Sequence, residues 1–204
     1  MRQMVVAVVG ALFLASGAWA QEPAVALEAQ QEEAVSLFGE AFRLATSPER
    51  DANIERLASI YRRIIHDCPD VPLAQESSWR LIVLLIRDHE PPRISDALGV
   101  YGELLTRHPD TPVRHALDNE LGRFLFEKAR WTDLATMQRL SGAGEDLGRA
   151  QKLSPVMLFY YSEAKWQLGD RAGARPGFQR ILEDHPQTVM AATAQERLRP
   201  AAHE

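Results

Sequence analysis

The sequence contains very little cysteine, and this limits how the chain can be held together. Cys68 is the only cysteine among 204 residues, so no disulfide can form within the chain. In an oxidising compartment, such a residue is either buried or bonded to another chain. Cys68 follows Ile64 and Ile65 at helical spacing, which favours a small buried side chain over a reactive thiol. A homodimer through Cys68 is the alternative.

The sequence also lacks the short motifs that mark common catalytic and cofactor sites. It has no P-loop, no dinucleotide-binding fingerprint and no Gly-x-Ser-x-Gly nucleophile motif. Six histidines are present, but no two are four residues apart, as a helical zinc site requires. His108 and His185 each precede a proline at a predicted helix end, where histidine interacts with the helix dipole. We therefore predict no catalytic, metal or cofactor site and no enzymatic activity.

A strong excess of charge of either sign is absent as well. The chain has 23 lysines and arginines against 28 aspartates and glutamates, a formal net charge of −5. A mildly acidic surface disfavours nucleic acid as a partner.

The apolar run near the N-terminus is short for a membrane span, and no stop-transfer pattern follows it. We predict no transmembrane span in the mature chain.

The first twenty residues have the pattern of a secretory signal peptide. Arg2 supplies a positive start, residues 4–14 are mostly apolar, and residues 18–20 form a cleavage site of small residues around a tryptophan. We expect cleavage after Ala20 and a periplasmic or secreted mature chain that begins at Gln21. An uncleaved anchor is the alternative.

What the chain does contain is a segment that occurs three times. Each copy has an aromatic residue, two aliphatic residues three and four positions later, and a proline eight positions later. The aromatic and aliphatic residues share one face of a helix, and the proline ends that helix. The prolines are 40 and then 77 residues apart, close to one and two periods. This predicts a helical solenoid with a fourth, degraded copy before the last one. The copies run from Tyr61 to Pro69, from Tyr101 to Pro109 and from Phe178 to Pro186.

Apolar spacing and turn residues predict paired helices throughout the mature chain. Helices are expected over residues 28–45, 72–87, 132–140 and 188–198, among others. Each Ser–Pro or Thr–Pro pair predicts an N-cap followed by proline in the first turn. No stretch alternates with a period of two, so we expect no sheet. The three pairs are Ser47-Pro48, Thr111-Pro112 and Ser154-Pro155.

Two positions interrupt the regular pattern. Glycines at 142, 144 and 148 predict a loop over Gly142–Gly148, which is a candidate hinge or binding loop. Gly169-Asp170 should turn the chain and cap the next helix, and Pro176 inside that helix should kink it near Ala172. The expected organisation is a signal peptide (1–20), a flexible lead-in (21–27), one helical repeat domain (28–199) and a tail (200–204).

The units resemble tetratricopeptide repeats of bacterial cell-envelope proteins, of the Tol–Pal-associated and outer-membrane-assembly accessory types. The resemblance covers about residues 33–198. It implies an all-α, right-handed superhelical solenoid of helical hairpins that ends in a capping helix. Besides the aromatic residues and prolines of the three copies, the matching residues are Trp79, Ala97, Leu121-Gly122, Ala164, Gly169-Asp170 and Ala174.

The resemblance also implies a binding surface, because the first helices of such hairpins line a concave face. Arginines on that face would pair with the carboxylates of an extended peptide, and aromatic residues would anchor its apolar side chains. The alternative is that the arginines are solvated and the aromatics pack between repeats. The residues that the resemblance places on the face are Arg80, Arg87, Asn119, Arg123, Phe126, Phe159 and Trp166.

We therefore expect a non-catalytic periplasmic scaffold for protein–protein interactions, which binds a peptide or an envelope protein on its concave face. The alternative function is a self-associating structural subunit of an envelope complex, joined through exposed end helices or Cys68.

Overall fold

The computed structural model describes residues 18–150 and 153–199 of the chain. Residues 1–17 of the predicted signal peptide and the predicted tail (200–204) lie outside this part. The predicted cleavage site at 18–20 lies at the start of the first helix.

Nine α-helices and no strand occur in residues 18–150 and 153–199, which confirms the all-α class for this part of the chain. A short 3₁₀ helix, Asp51–Asn53, precedes the second α-helix. None of the described helices has the length and apolarity needed to cross a membrane. The helices are α1 (Ala18–Ala45), α2 (Ile54–Asp67), α3 (Pro72–Arg87), α4 (Ile94–Arg107), α5 (Arg114–Glu127), α6 (Trp131–Leu140), α7 (Pro155–Gln167), α8 (Arg171–Asp184) and α9 (Val189–Leu198).

The helices pack in pairs along the chain, and the odd-numbered helices also form a row. Helices α1 and α2, α3 and α4, α5 and α6, and α7 and α8 contact each other. In addition, α1 contacts α3, α3 contacts α5, α5 contacts α7 and α7 contacts α9. The buried apolar residues form one cluster that extends from Ala34 on α1 to Ala194 on α9. The core therefore runs along the row of helices.

The three repeated segments form equivalent structures. Tyr61, Tyr101 and Phe178 lie on the even-numbered helices α2, α4 and α8, and all three are buried. Each of these helices ends two residues before its proline. The residue after the last helical one donates its N–H to the carbonyl four positions earlier, as in the bond from Cys68 to Ile64. The proline therefore ends each helix, as the spacing predicted.

Three predicted helix starts are confirmed by side-chain caps, and two others are wrong. Ser154 accepts a hydrogen bond from Met157 N at 3.2 Å, and the Asp170 and Thr188 side chains cap α8 and α9 in the same way. Ser47 and Thr111 do not cap α2 and α5, since neither helix start has a side-chain cap hydrogen bond. The Ser47 hydroxyl donates to Leu44 O, and that of Thr111 donates to Gln75 Oε1 on α3. Helices α2 and α5 accordingly begin later than predicted, at Ile54 and Arg114.

The first helix is longer than predicted. It includes residues 21–27, where the sequence suggested a loose lead-in. The residues just after them are alanine, glutamate and glutamine, which are strong helix formers and favour continuation of the helix. Residues 25–29 are all exposed.

Cys68 is fully buried at the end of α2, as its helical spacing predicted. Burial raises the pKa of its thiol, with nearby carboxylates acting in the same direction. A disulfide to another chain would require this end of α2 to open.

The loop between α6 and α7 is tied to the helices around it. Gly142 and Gly144 have φ values of +70° and +76°, a conformation that glycine adopts without strain. Gln138 Nε2 donates to Gly144 O at 2.6 Å, and Leu147 and Ala150 are buried. The loop that the glycines predicted is present, and Leu147 and Ala150 anchor it to the core. Its role as a hinge or binding loop stays a prediction.

Candidate functional site

The seven residues predicted for a binding face lie on three helices that contact each other in series. Arg80 and Arg87 are on α3, Asn119, Arg123 and Phe126 are on α5, and Phe159 and Trp166 are on α7. Their surroundings differ, so the structure separates them into a charged group and an aromatic group.

The three arginines are each paired with a carboxylate. Arg80 bonds to Glu76 one turn earlier on α3, with 2.7 Å between Nη2 and Oε1. Arg87 bonds to Glu120 on α5, and Arg123 bonds to the other oxygen of the same carboxylate at 3.2 Å. Three guanidinium groups therefore share two carboxylates. The Arg87–Glu120 bond also ties α3 to α5.

In each of these pairs the cation is the more exposed partner. The three arginine side chains are 43–49% exposed, and the two glutamates are 27–28% exposed. The pairs therefore present N–H donors towards solvent, although the whole chain is acidic. We call this surface, formed by Glu76, Arg80, Val83, Arg87, Glu120 and Arg123, the basic face.

Asn119 lies beside the basic face without joining its ion pairs. Its side-chain nitrogen is 3.1 Å from His115 Nε2, one turn earlier on α5. Asn119 is half-buried, so part of its amide stays accessible.

The aromatic residues pack against one another between α5, α7 and α8. The Phe126 ring stacks on Tyr160 with centroids 4.5 Å apart, and it lies 5.8 Å from Phe159. Phe159 is buried and contacts Phe178 on α8 at 6.2 Å. For Phe159, the structure matches the alternative in which aromatics pack between repeats. Phe126 and Trp166 are half-buried and keep part of their rings accessible.

Contacts with the last helix cover part of Trp166. The guanidinium of Arg197, on α9, lies 5.7 Å from the Trp166 ring centroid and makes two hydrogen bonds to Glu163, at 2.8 and 3.1 Å. The Glu163 side chain is only 5% exposed. The hydrogen bond to this carboxylate raises the pKa of Arg197. These contacts hold α9 on α7, so this end of the row serves a structural role.

A pocket of about 280 Å³ opens beside the basic face, between α1, α2 and α3. Its walls include Leu57, Tyr61, Trp79 and Val83, and charged groups stand at its edge. The Arg80 guanidinium is one of them, and it lies over the rings of Phe38 and Trp79 at 5.2 and 6.0 Å. Apolar walls with a few charged groups at the edge suit the capture of a single apolar side chain.

Three features of this pocket affect what it can bind. Arg50 and Asp88 close one side through an ion pair of 2.5 Å. Trp79 Nε1 is buried and has no hydrogen-bond partner among the described residues. Burial raises the pKa of the Tyr61 hydroxyl, so this group stays neutral and can donate a hydrogen bond.

The sequence predicted the two arginines of α3 but not this pocket. Glu76, Arg80, Val83 and Arg87 are spaced four, three and four residues apart, so they share one face of the helix. This spacing could have brought Val83 into the predicted set. The contribution of α1 and α2 to the pocket depends on helix packing, which periodicity does not reveal.

A second, polar pocket of about 520 Å³ lies between the α4–α5 turn and the α6–α7 loop. Asp118 at its edge accepts a hydrogen bond from Tyr101 Oη at 2.7 Å, and Arg114 Nη2 donates to Ser141 O at 2.5 Å. Burial raises the pKa of Asp118, although bonds from Tyr101 and Arg114 oppose this. The first bond ties α4 to α5 and the second ties the loop to α5, which is a structural role.

No group of three or more histidine, cysteine, aspartate or glutamate side chains is placed to hold a metal ion in the described part of the chain. Comparison with known proteins gave no further guide to the site: no family model, curated protein or solved structure matches this chain.

Proposed function

We propose that this chain is a non-catalytic scaffold for protein–protein interactions in the bacterial periplasm. It binds a segment of a peptide or envelope protein along the basic face. The observation that carries this proposal is the position of the apolar pocket directly beside that face, with Val83 forming part of both.

The proposed ligand follows from the chemistry of this surface. A bound segment places one apolar side chain between Trp79 and Val83, and its carboxylates meet Arg87 and Arg123. Arginine suits this role, because its planar guanidinium pairs with a carboxylate through two parallel hydrogen bonds. The Arg80-to-Arg87 separation is about 10 Å along α3, so three or four extended residues span it.

The proposed architecture is a right-handed superhelical stack of hairpins like that of tetratricopeptide repeats. The row of contacts from α1 to α9 through the odd-numbered helices supports it. The equivalent burial of Tyr61, Tyr101 and Phe178 supports it as well. In such a stack, the first helices of the hairpins form one continuous surface, and the basic face is part of it.

Photo-cross-linking in cells tests this function. A benzophenone side chain replaces Val83 in one variant and Arg62, which is exposed on α2, in the control. We expect a cross-linked protein from position 83 and none from position 62. The Arg80→Ala, Arg87→Ala, Arg123→Ala triple variant should lose that product. Equal products from both positions, or a triple variant that cross-links normally, would contradict the proposed binding face.

A further inference from the structure

The first helix extends well past the hairpin to which it belongs. Its 28 residues span about 42 Å, and the 14 residues of α2 span about 21 Å. Near its C-terminal end, α2 is tied to α1 by an ion pair of 2.5 Å between Arg63 and Glu33. Just beyond α2, Gln30 bonds to Asp70 at 3.3 Å. All five residues from 25 to 29 are exposed. A helical segment without packing contacts is marginally stable in water, so the exposed residues 25–29 gain from a packing partner.

The exposed side of α1 carries apolar side chains that nothing in the described chain covers. Val35 is 54% exposed and Phe42 is 61% exposed, although both are large. They are seven residues apart and share one face, which is distinct from the buried face of Ala34 and Ala41. Residues 28, 32, 35, 39 and 42 are spaced alternately four and three positions apart, as are the residues along which two helices pair. We call this line of residues the seam.

Gly39 allows close approach at the middle of this seam. A Cβ built on Gly39 would meet only Arg43 Nη1, at 3.9 Å. The helix surface therefore has no side chain at Gly39 itself, and the Arg43 guanidinium lies beside that position.

The charges along the seam are arranged so that two copies of the helix complement each other. Glu28 and Glu32 precede Val35, and Arg43 follows it. Within residues 18–150 and 153–199, none of these three charged side chains has an ion-pair partner. If two such helices run antiparallel about an axis near Val35, the Arg43 guanidinium of one meets Glu32 of the other. A parallel arrangement would bring like charges together.

We propose that two copies of this chain associate through antiparallel α1 helices, with Val35 at the two-fold axis. Phe42 of each copy packs beside Glu28 of the other copy, and two Arg43–Glu32 pairs set the direction. The contact is self-complementary, as a two-fold interface requires. The buried thiol of Cys68 takes no part in it. This association does not depend on the proposed binding function, because the basic face lies on α3 and α5.

Sedimentation equilibrium of the purified protein over a range of concentrations tests this interface. We expect a dimer whose Kd rises about tenfold or more in Phe42→Glu and in Arg43→Glu. The double variant Glu32→Arg, Arg43→Glu should regain the wild-type Kd, because it restores opposite charges across the axis. Arg62 is exposed on α2 and has no carboxylate partner in the described part of the chain, so Arg62→Glu is the control and should leave the Kd unchanged.

Each substituted residue is exposed, so the variants should fold, and far-UV circular dichroism verifies this. A wild-type protein that stays monomeric at all concentrations overturns the proposal and leaves the α1 face to a different partner. A dimer that is insensitive to Phe42→Glu or Arg43→Glu uses another surface. A charge-swapped double variant that stays as weak as Arg43→Glu overturns the antiparallel arrangement.

Discussion

Gly177 on α8 lies close against Ser162 of α7, so alanine at this position probes the packing of the last hairpin. A Cβ on Gly177 would lie 2.1 Å from Ser162 Oγ and 3.1 Å from Leu147 Cβ. Ser162 cannot easily move away, because it is fully buried and its hydroxyl donates to Leu158 O at 2.7 Å. Either the two helices separate or Ser162 loses this hydrogen bond.

The size of the effect follows from two opposing contributions. Alanine gains about 0.5–1 kcal/mol over glycine inside a helix. Overpacking a well-packed core costs about 1–3 kcal/mol. We expect Gly177→Ala to lower the free energy of unfolding by about 1–2 kcal/mol. Gly99 is the matched control, because it lies inside α4 and its added Cβ would meet nothing within 4 Å. Gly99→Ala should be stabilising by about 0.5–1 kcal/mol.

Urea unfolding followed by circular dichroism measures both variants. In a Ser162→Ala background, Gly177→Ala should lose much of its cost, because the closest atom has been removed. If Gly177→Ala is as stable as Gly99→Ala, helices α7 and α8 do not approach each other as closely as described, and the reasoning fails.

Three further predictions concern buried polar groups. Arg197→Met leaves the buried Glu163 carboxylate without its cation and should lower the free energy of unfolding in urea by about 2–3 kcal/mol. An unchanged free energy of unfolding would show that this pair does not hold α9. Burial raises the pKa of Asp118, so the stability that its protonated carboxyl contributes is lost as pH rises from about 4 through the folded-state pKa. Over that pH range, Asp118→Asn should become more stable relative to wild type. Stability profiles of the two proteins that stay parallel with pH would refute this. Cys68 should react with a thiol reagent only when urea unfolds the protein, since its side chain is fully buried and its pKa is raised. Rapid labelling of the native protein would contradict this burial.

The helix ends that depend on local chemistry could be predicted from the sequence. Proline at positions 69, 109 and 186 follows the apolar stripe of each helix, so these ends were predicted correctly, whereas Pro176 lies inside α8 and does not end it. The caps at Ser154 and Asp170 involve residues only three positions apart, and they were also correct. The cap predicted at Thr111 was wrong: α5 begins at Arg114 without a side-chain cap, and the Thr111 hydroxyl donates to Gln75, 36 positions away in sequence, which local spacing does not reveal.

The candidate site was predictable only in part, for a similar reason. Helical periodicity places Arg80 and Arg87 on one side of α3, but it does not show that Glu120 on α5 pairs with Arg87. Phe159 is buried because Phe178 on α8 packs against it, which requires the tertiary structure. The exposure of Val35 and Phe42 likewise depends on which side of α1 faces the core, and the sequence does not show this.

The stacking of Phe126 on Tyr160 allows a direct test of the claim that successive odd-numbered helices pack into one row. These residues lie on α5 and α7, with ring centroids 4.5 Å apart and planes inclined by 21°. A double-mutant cycle with Phe126→Leu and Tyr160→Leu, measured by urea unfolding, should give a coupling energy of about 0.5–1.5 kcal/mol. Strictly additive effects would mean that α5 and α7 are not neighbours, which would contradict the row and the basic face built on it.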